Sequence, residues 1–284
     1  SKIRELINIS QAMSVSEKAF KAHGLNKVQM PPKIYLHLDK YHGDFRAMPA
    51  YLEEPEACGI KWVNVHPENK KYGLPSVMAL IILNEPKTGL PLAVVEGTHI
   101  TNLRTGAAGG IAAKYLARKN SSRIALIGCG AQAQTQLTAL NEIFDIEAVF
   151  LYDCFKSQAE IFLKKTRFLG LEMIVCPSVK DCLRQADIAV TTTPSSKPVI
   201  DSEWIKEGTH INAIGADAPG KEELDPAILK KAKVVVDDFT QACHSGEINV
   251  PIARGIFKKK DIHASLGEII TARKKGRTSP DEIT

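Results

Sequence analysis

The sequence predicts an α/β protein, a doubly wound parallel sheet preceded by a smaller mixed part of strands and one helix. Three observations carry this. Beyond residue 101, short apolar runs alternate with helical patterns, the rhythm of βα units whose crossovers make strands parallel. Ahead of it, apolar runs follow one another at short spacing with a single helical pattern among them. Within the second part, the apolar run 124–127 enters Gly128-x-Gly130-x-x-Ala133 and then a helical pattern. At 284 residues and 44% hydrophobic, the chain is long enough to build two cores.

In chain order, Ala12, Val15, Ala19 and Phe20 share one face of a helix over 11–23, with Ser10 placed to cap it and Gly24 to stop it. Strand-like runs follow at 33–38, 45–52, 58–65, 77–83 and 91–95, separated by Gly, Pro and acidic residues, and predict an antiparallel or mixed sheet flanked by that helix. The stretch 103–118 is rich in Ala and Gly and predicts a helix packed closely on its neighbours. Strands are expected at 124–127, 148–153, 172–176, 187–193, 210–215 and 233–238, with helices from Gln132 and over 158–169, 179–185 and 225–232. Near-continuous apolar strands imply a sheet covered on both faces. Its ligand crevice lies at the carboxyl ends of the strands, so 128–132, Asp153, 191–193 and 214–217 are expected along one edge.

The glycine turn points to a dinucleotide. Gly128 permits a tight turn, Gly130 lets the backbone approach a pyrophosphate, and the small Ala133 lets helix and strand pack closely. The phosphates would rest on the free N–H groups of the helix N-terminus, where the dipole favours negative charge. Asp153 ends the next apolar run 23 residues after Gly130, close to the spacing of roughly 20 at which a carboxylate meets the adenosine ribose. Such a carboxylate repels a 2′-phosphate, so NAD is expected rather than NADP.

Bulk properties narrow the partners. The net charge is +5, and the basic runs at 258–260 and 273–277 stand without a recognition motif, so they read as solvated ends and nucleic acid is not expected. The six cysteines, at 58, 129, 154, 176, 182 and 243, form no CxxC pair and read as reduced thiols. No apolar stretch approaches the ~20 residues of a membrane helix and no signal-peptide core opens the chain, so a soluble, cytoplasmic protein is expected.

Lys33, Arg46 and Lys61 sit among apolar neighbours in strand-like runs. Each could simply point to solvent, since alternation sends every second side chain outward. Alternatively they converge with Arg104 on a carboxylate. Arg suits that task because its fork matches a carboxylate, and Lys because burial brings its pKa into the range of proton transfer. Asp217, ahead of Pro219 and Gly220, is either a turn residue or an acid that holds an ammonium or iminium nitrogen. His66, His99 and His210 have no spaced partners, and no metal site is expected.

Taken together, Phe45-Arg-Ala-Met-Pro-Ala, Gly59-Ile-Lys-Trp-Val-Asn-Val-His-Pro-Glu-Asn, Gly73-Leu-Pro-Ser-Val-Met-Ala-Leu, Leu103-Arg-Thr-Gly-Ala-Ala-Gly-Gly-Ile-Ala-Ala-Lys-Tyr-Leu-Ala, Ile127-Gly-Cys-Gly-Ala-Gln-Ala and Asn212-Ala-Ile-Gly-Ala-Asp-Ala-Pro-Gly-Lys resemble the ornithine cyclodeaminase and mu-crystallin family. The archaeal-type alanine dehydrogenases are its most similar branch. The resemblance implies a Rossmann domain over 106–269 joined to a substrate-binding, dimerising domain over 1–105, rejoined by 270–284, with the active site between them. It implies that Lys33, Lys61 and Arg104 bind the substrate carboxylate and that Asp217 is the acid at the reacting carbon or nitrogen. It places Ser76, Arg104, Thr105, Gly128, Gly130, Ala131, Gln132, Asp153, Thr193, Ile211, Asn212, Ala213, Ile214 and Lys221 against NAD. It also implies a strand ahead of Ser1 and a closing segment beyond Thr284, with a further cofactor contact, that lie outside this sequence.

Cyclodeaminases of the family carry Glu where this chain has Arg46. A cation there disfavours the second ammonium of ornithine and favours a small keto acid. The expected activity is reductive amination of pyruvate with ammonia and its reverse, in a homodimer. Lys33, Arg46 and Arg104 would hold the carboxylate, Lys61 would exchange protons and Asp217 would steady the nitrogen. A cyclodeaminase or cyclic-ketimine reductase, and a non-catalytic nucleotide holder of mu-crystallin type, are the alternatives.

Overall fold

A computed structural model describes residues 3–284. Helices α1 (Ile3–Leu6) and α2 (Ile9–Gly24) open it. The cap of α2 is Asn8, not Ser10: Asn8 accepts from the Gln11 N–H while the Gln11 side chain accepts from the Asn8 N–H, a reciprocal box that satisfies two otherwise free donors. Val15, expected on the packed face, is 61% exposed. The buried positions are Ile9, Ala12, Ala22 and Gly24, because α2 packs on helices at both of its ends rather than along a single stripe.

Strands β1 (Val28–Gln29), β2 (Ile34–Leu38), β3 (Gly43–Glu53), β4 (Glu56–Val65), β5 (Val77–Asn84) and β6 (Pro91–Glu96) form one antiparallel sheet. Its path runs β1-β3-β4-β5-β6, with β2 also on β3. Helix α3 (Thr98–Leu116) leaves β6 almost at once, five residues earlier than the sequence suggests. Its small residues allow a close crossing: a Cβ on Gly106 would stand 2.5 Å from the carbonyl oxygen of Thr135.

The second sheet follows the predicted rhythm. It contains β7 (Arg123–Ile127), β8 (Ala148–Tyr152), β9 (Met173–Val175), β10 (Ile188–Thr191) and β11 (His210–Ala213), with helices α4 (Ala131–Asn141), α5 (Lys156–Thr166) and α6 (Val179–Leu183) between them. All pairs are parallel and the order is β11-β10-β7-β8-β9. Strand order therefore reverses between β7 and β10, the switch point where α/β sheets bind ligands. Both faces are covered: Ile124, Leu126, Val149 and Leu151 pack under Leu137 and Leu140, and Ala125, Ile127 and Phe150 pack on the other side.

The last expected strand does not join this sheet. After α7 (Pro226–Lys231), β12 (Val235–Val236) pairs with β13 (Ala264–Ser265) as a separate two-stranded ribbon, around α8 (Phe239–Ser245) and α9 (Asn249–Ala253). Only two residues of the 233–238 run pair, since Asp238 turns out to cap α8 by accepting from the Gln241 N–H. Helix α10 (Leu266–Ile270) then meets α2, where a Cβ on Gly24 would lie 2.2 Å from the Gly267 carbonyl oxygen. Residues 276–284 run on along β11: Ile211 donates to the Thr284 carbonyl, Thr284 to that of Thr209, and Arg277 to that of Leu116. No helix among the described residues is long and apolar enough to cross a membrane.

Candidate active site

The register of the antiparallel sheet decides which cations meet. Tyr35 lies opposite Arg46, Arg46 opposite Val63, and Met48 opposite Lys61. Because residues two apart share a face, Arg46 and Lys61 emerge on the same side, toward the parallel sheet. Lys33, two residues before Tyr35, joins them. The Tyr35 ring supports both neighbours, with Arg46 Cζ 5.3 Å and Lys33 Nζ 5.8 Å from its centroid. Arg104 arrives from α3, open to solvent on one side and walled by protein on the others, which holds its pKa below the usual arginine range. Burial and then the charges of Arg104, Lys33 and Arg46 push the Lys61 ammonium down to about 6. Among the described residues neither Lys61 nor Arg104 has a hydrogen-bond or ion-pair partner.

Arg46 reaches the cleft in a different role from the one expected. It is 5% exposed. Nε and Nη2 donate to Asp44 at 2.7 and 3.1 Å, and Nη1 donates to the Asp217 carboxylate at 2.9 Å and its carbonyl at 3.2 Å. A guanidinium has five N–H donors, so this one has no free fork for a substrate carboxylate. Two carboxylates offset its charge, which also removes the bare cation expected to turn away a distal ammonium. Arg46 instead fastens Asp217 to the antiparallel sheet. Asp44, the acid two residues earlier on the same strand face, is a partner that sequence reasoning missed, although its spacing offered the signal.

Asp217 follows β11 and is gripped from three sides. Besides Arg46, Lys221 Nζ donates to its Oδ1 at 2.6 Å and Lys33 Nζ to its carbonyl at 3.3 Å. Burial alone would raise its pKa, but Lys221 and Arg46 outweigh burial and hold it below the usual carboxylate range. It therefore faces the Lys61 cluster as an anion.

The dinucleotide turn has the shape its sequence suggests. Gly128 adopts φ +91°, where a side chain is strained, and a Cβ there would meet the Thr192 carbonyl oxygen at 3.1 Å. Gly130 is different: a Cβ would have nothing within 4 Å, and no side chain caps α4. The first-turn N–H groups thus face open space, the geometry that accepts a pyrophosphate. Gln132 donates to Asn102, while its Oε1 is buried without a partner. Asp153 closes the turn, accepting from the N–H groups of Cys129 and Phe155 at 2.9 Å each. These residues fit a dinucleotide.

The other expected contacts differ in how free they are. Thr193 Oγ1 and N–H both donate to Glu223, a buried acid that sequence reasoning missed because Lys221-Glu-Glu-Leu-Asp reads as a solvated run. Asn212 is spent on structure, donating to the Gly109 carbonyl and pairing with His210. Ile211, Ala213 and Ile214 lie half-buried at the end of β11, and Ala131 is exposed at the start of α4. Thr105 Oγ1 donates to the Thr101 carbonyl, and the Ser76 carbonyl accepts from the His66 N–H. Lys221 is committed to Asp217. His210 is buried between Thr284 and Asn212 and is pushed down to about 4 by burial.

The whole chain, residues 1–284, matches the ornithine cyclodeaminase/mu-crystallin family. The chain belongs to that family. Within it, the chain is 55% identical over 282 residues to the alanine dehydrogenase of Archaeoglobus fulgidus, covering 99% of this chain and 86% of that one. A solved archaeal alanine dehydrogenase dimer with bound NAD superposes with a TM-score of 0.95 at 55% identity, covering 100% of this chain and 87% of that one. A second family member, the Δ1-pyrroline-2-carboxylate reductase of Thermococcus litoralis in complex with NADH and L-proline, gives a TM-score of 0.96 at 41% identity, covering 99% of this chain and 88% of that one.

Proposed function

We propose that this chain is an NAD-dependent L-alanine dehydrogenase, interconverting pyruvate plus ammonia with alanine. The observation that carries the reading is an anion trap across from a dinucleotide turn. Among the described residues Arg104 and Lys61, whose pKa is depressed, have no partners of their own, and they face an ionised Asp217 between the antiparallel sheet and the first turn of α4. The 55% identity to the alanine dehydrogenase of A. fulgidus supports it.

Arg104 and Lys33 hold the keto-acid carboxylate, and the fixed geometry supplies orientation. Lys61, neutral near pH 7 because its pKa lies about 6, takes and returns protons at the carbonyl oxygen and the nitrogen. Asp217, kept charged by Lys221 and Arg46, stabilises the cationic nitrogen from the opposite wall. Gly130 and the first turn of α4 would hold the pyrophosphate of NAD, and Asp153 the adenosine ribose. When bound, the nicotinamide supplies or accepts the hydride. In this reading residues 1–105 form the substrate-binding and dimerising part, rejoined by 270–284, residues 106–269 hold the cofactor, and the protein works as a cytoplasmic homodimer without nucleic acid.

The same trap would serve a cyclic ketimine, and the likeness to the T. litoralis enzyme favours a cyclic-ketimine reductase as the second reading. Following NADH oxidation decides between them. Turnover with pyruvate that requires ammonium supports the dehydrogenase. Turnover confined to Δ1-pyrroline-2-carboxylate without ammonium, or proline release from ornithine, overturns it.

A further inference from the structure

The least expected group near the crevice is Glu223, which is fully buried. Its Oε1 accepts from the Thr193 N–H at 2.6 Å and the Thr193 hydroxyl at 2.7 Å, and its Oε2 accepts from the Gly215 N–H and the Thr191 hydroxyl, each at 2.7 Å. One carboxylate thus joins the end of β10, the turn after it and the turn after β11. The fit leaves no slack: a Cβ on Gly215 would lie 2.1 Å from the Thr193 carbonyl oxygen and 2.6 Å from the Glu223 carboxyl. Glu223 is itself held from behind, since the Glu247 carboxyl accepts the N–H groups of Glu223 at 2.8 Å and Leu224 at 2.7 Å.

A buried carboxylate is costly unless its hydrogen bonds are complete, and here two backbone N–H groups and two hydroxyls complete them. What the carboxylate adds is direction. Each of its oxygens receives a backbone N–H, which fixes where the Thr193 and Gly215 peptides point. Asp217 is two residues past Gly215, and Thr193 lies at the switch point, on the side of the crevice away from Asp153. We propose that Glu223 is a positioning residue: it fixes these turns so that the nicotinamide half of the cofactor and the Asp217 carboxylate meet in register. The inference rests on the dinucleotide-dependent reading above.

Glu223→Gln tests it, because the amide keeps the volume but presents an NH2 donor to one of the two N–H groups. The expected result is a fall in kcat on the order of 10- to 100-fold, with a raised KM for NADH. Affinity for ADP-ribose, which keeps the adenosine, the pyrophosphate and the second ribose but lacks the nicotinamide, should stay unchanged by calorimetry, as should the circular dichroism spectrum. Wild-type kcat and KM in the variant overturn the proposal, as does loss of ADP-ribose affinity in parallel with activity, the mark of a merely structural role. Thr193→Val, which removes one hydroxyl donor and leaves Glu223 in place, serves if Glu223→Gln does not fold. It should lower kcat in the same direction by a smaller factor, and unchanged kinetics would count against the proposal. Failure of the wild-type protein to bind either NADH or ADP-ribose would instead defeat the functional reading itself.

Discussion

The lowered pKa that suits Lys61 to the proton transfers proposed for it also costs stability. Its ordinary pKa of 10.5 drops to about 6 in the fold, first by burial and then by three neighbouring cations. Between those values the unfolded chain binds a proton that the folded chain does not, so stability rises with pH across the window. The penalty is complete below about pH 6 and fades as pH climbs toward 10.5. Lys61→Met should therefore abolish turnover, retain NADH binding and raise Tm, with the gain in Tm greatest in acid and shrinking in alkali. Melting curves from pH 5 to 9 check this, and a variant no more stable than wild type at the acid end contradicts it. In the wild type, kcat/KM for alanine oxidation should fall as pH drops through about 6, where the amine gains its proton. Asp44 makes the complementary case. Asp44→Asn removes the charge that faces Arg46 Nε and Nη2, so it should cost about 1–3 kcal/mol of stability and lower kcat while leaving the KM for NADH unmoved. An unchanged kcat would show that Arg46 does not need Asp44 to hold Asp217.

At the scale of elements, the turn between β7 and α4 separates two uses of glycine that a motif treats alike. Gly128 is needed for its φ of +91°, so Gly128→Ala should destabilise the fold by about 1–2 kcal/mol. Gly130 has ordinary backbone angles and open space around it. Gly130→Val should fold normally and lose NADH affinity, because its side chain occupies the space above the first turn of α4; fluorescence titration of NADH alongside melting tells the two apart, and equal affinity in Gly130→Val refutes the pyrophosphate assignment. This turn was legible in the sequence because strand, turn and helix follow one another locally. The convergence of Lys33 and Lys61 was only half legible: alternation gives parity within a strand, whereas the pairing of Met48 with Lys61 and of Tyr35 with Arg46 is a matter of register between strands. The same limit explains β12, whose apolar run says nothing about which partner it finds. Glu223 escaped notice because an acid in a polar run looks solvated, and Asp44 because it adjoins the Gly43 turn despite its spacing from Arg46; only the fold shows that both turn inward.

Across the whole molecule, the register that gathers the cations on one face of the antiparallel sheet sends apolar side chains to the other. Ile34, Leu36, Trp62, Leu80, Leu92 and Val94 are all exposed, and Val94, at 63% exposure, sits on β6 paired with Ile82. A continuous apolar sheet face of this kind marks an interaction surface, and burying each aliphatic side chain fully is worth about 1.5–3 kcal/mol. A second copy of the chain is the occupant that fits the proposed homodimer, and a self-complementary sheet face is the isologous contact that closes a two-fold. The cation cluster lies on the opposite face and all of its residues come from one chain, so assembly and the anion trap should separate. The double variant Leu36→Glu and Val94→Glu places four carboxylates in the closed interface and should sediment as a monomer while still binding NADH. A dimer that survives both substitutions would move the contact elsewhere on the surface, and a monomer that cannot bind NADH would mean that the cleft depends on the partner for its shape.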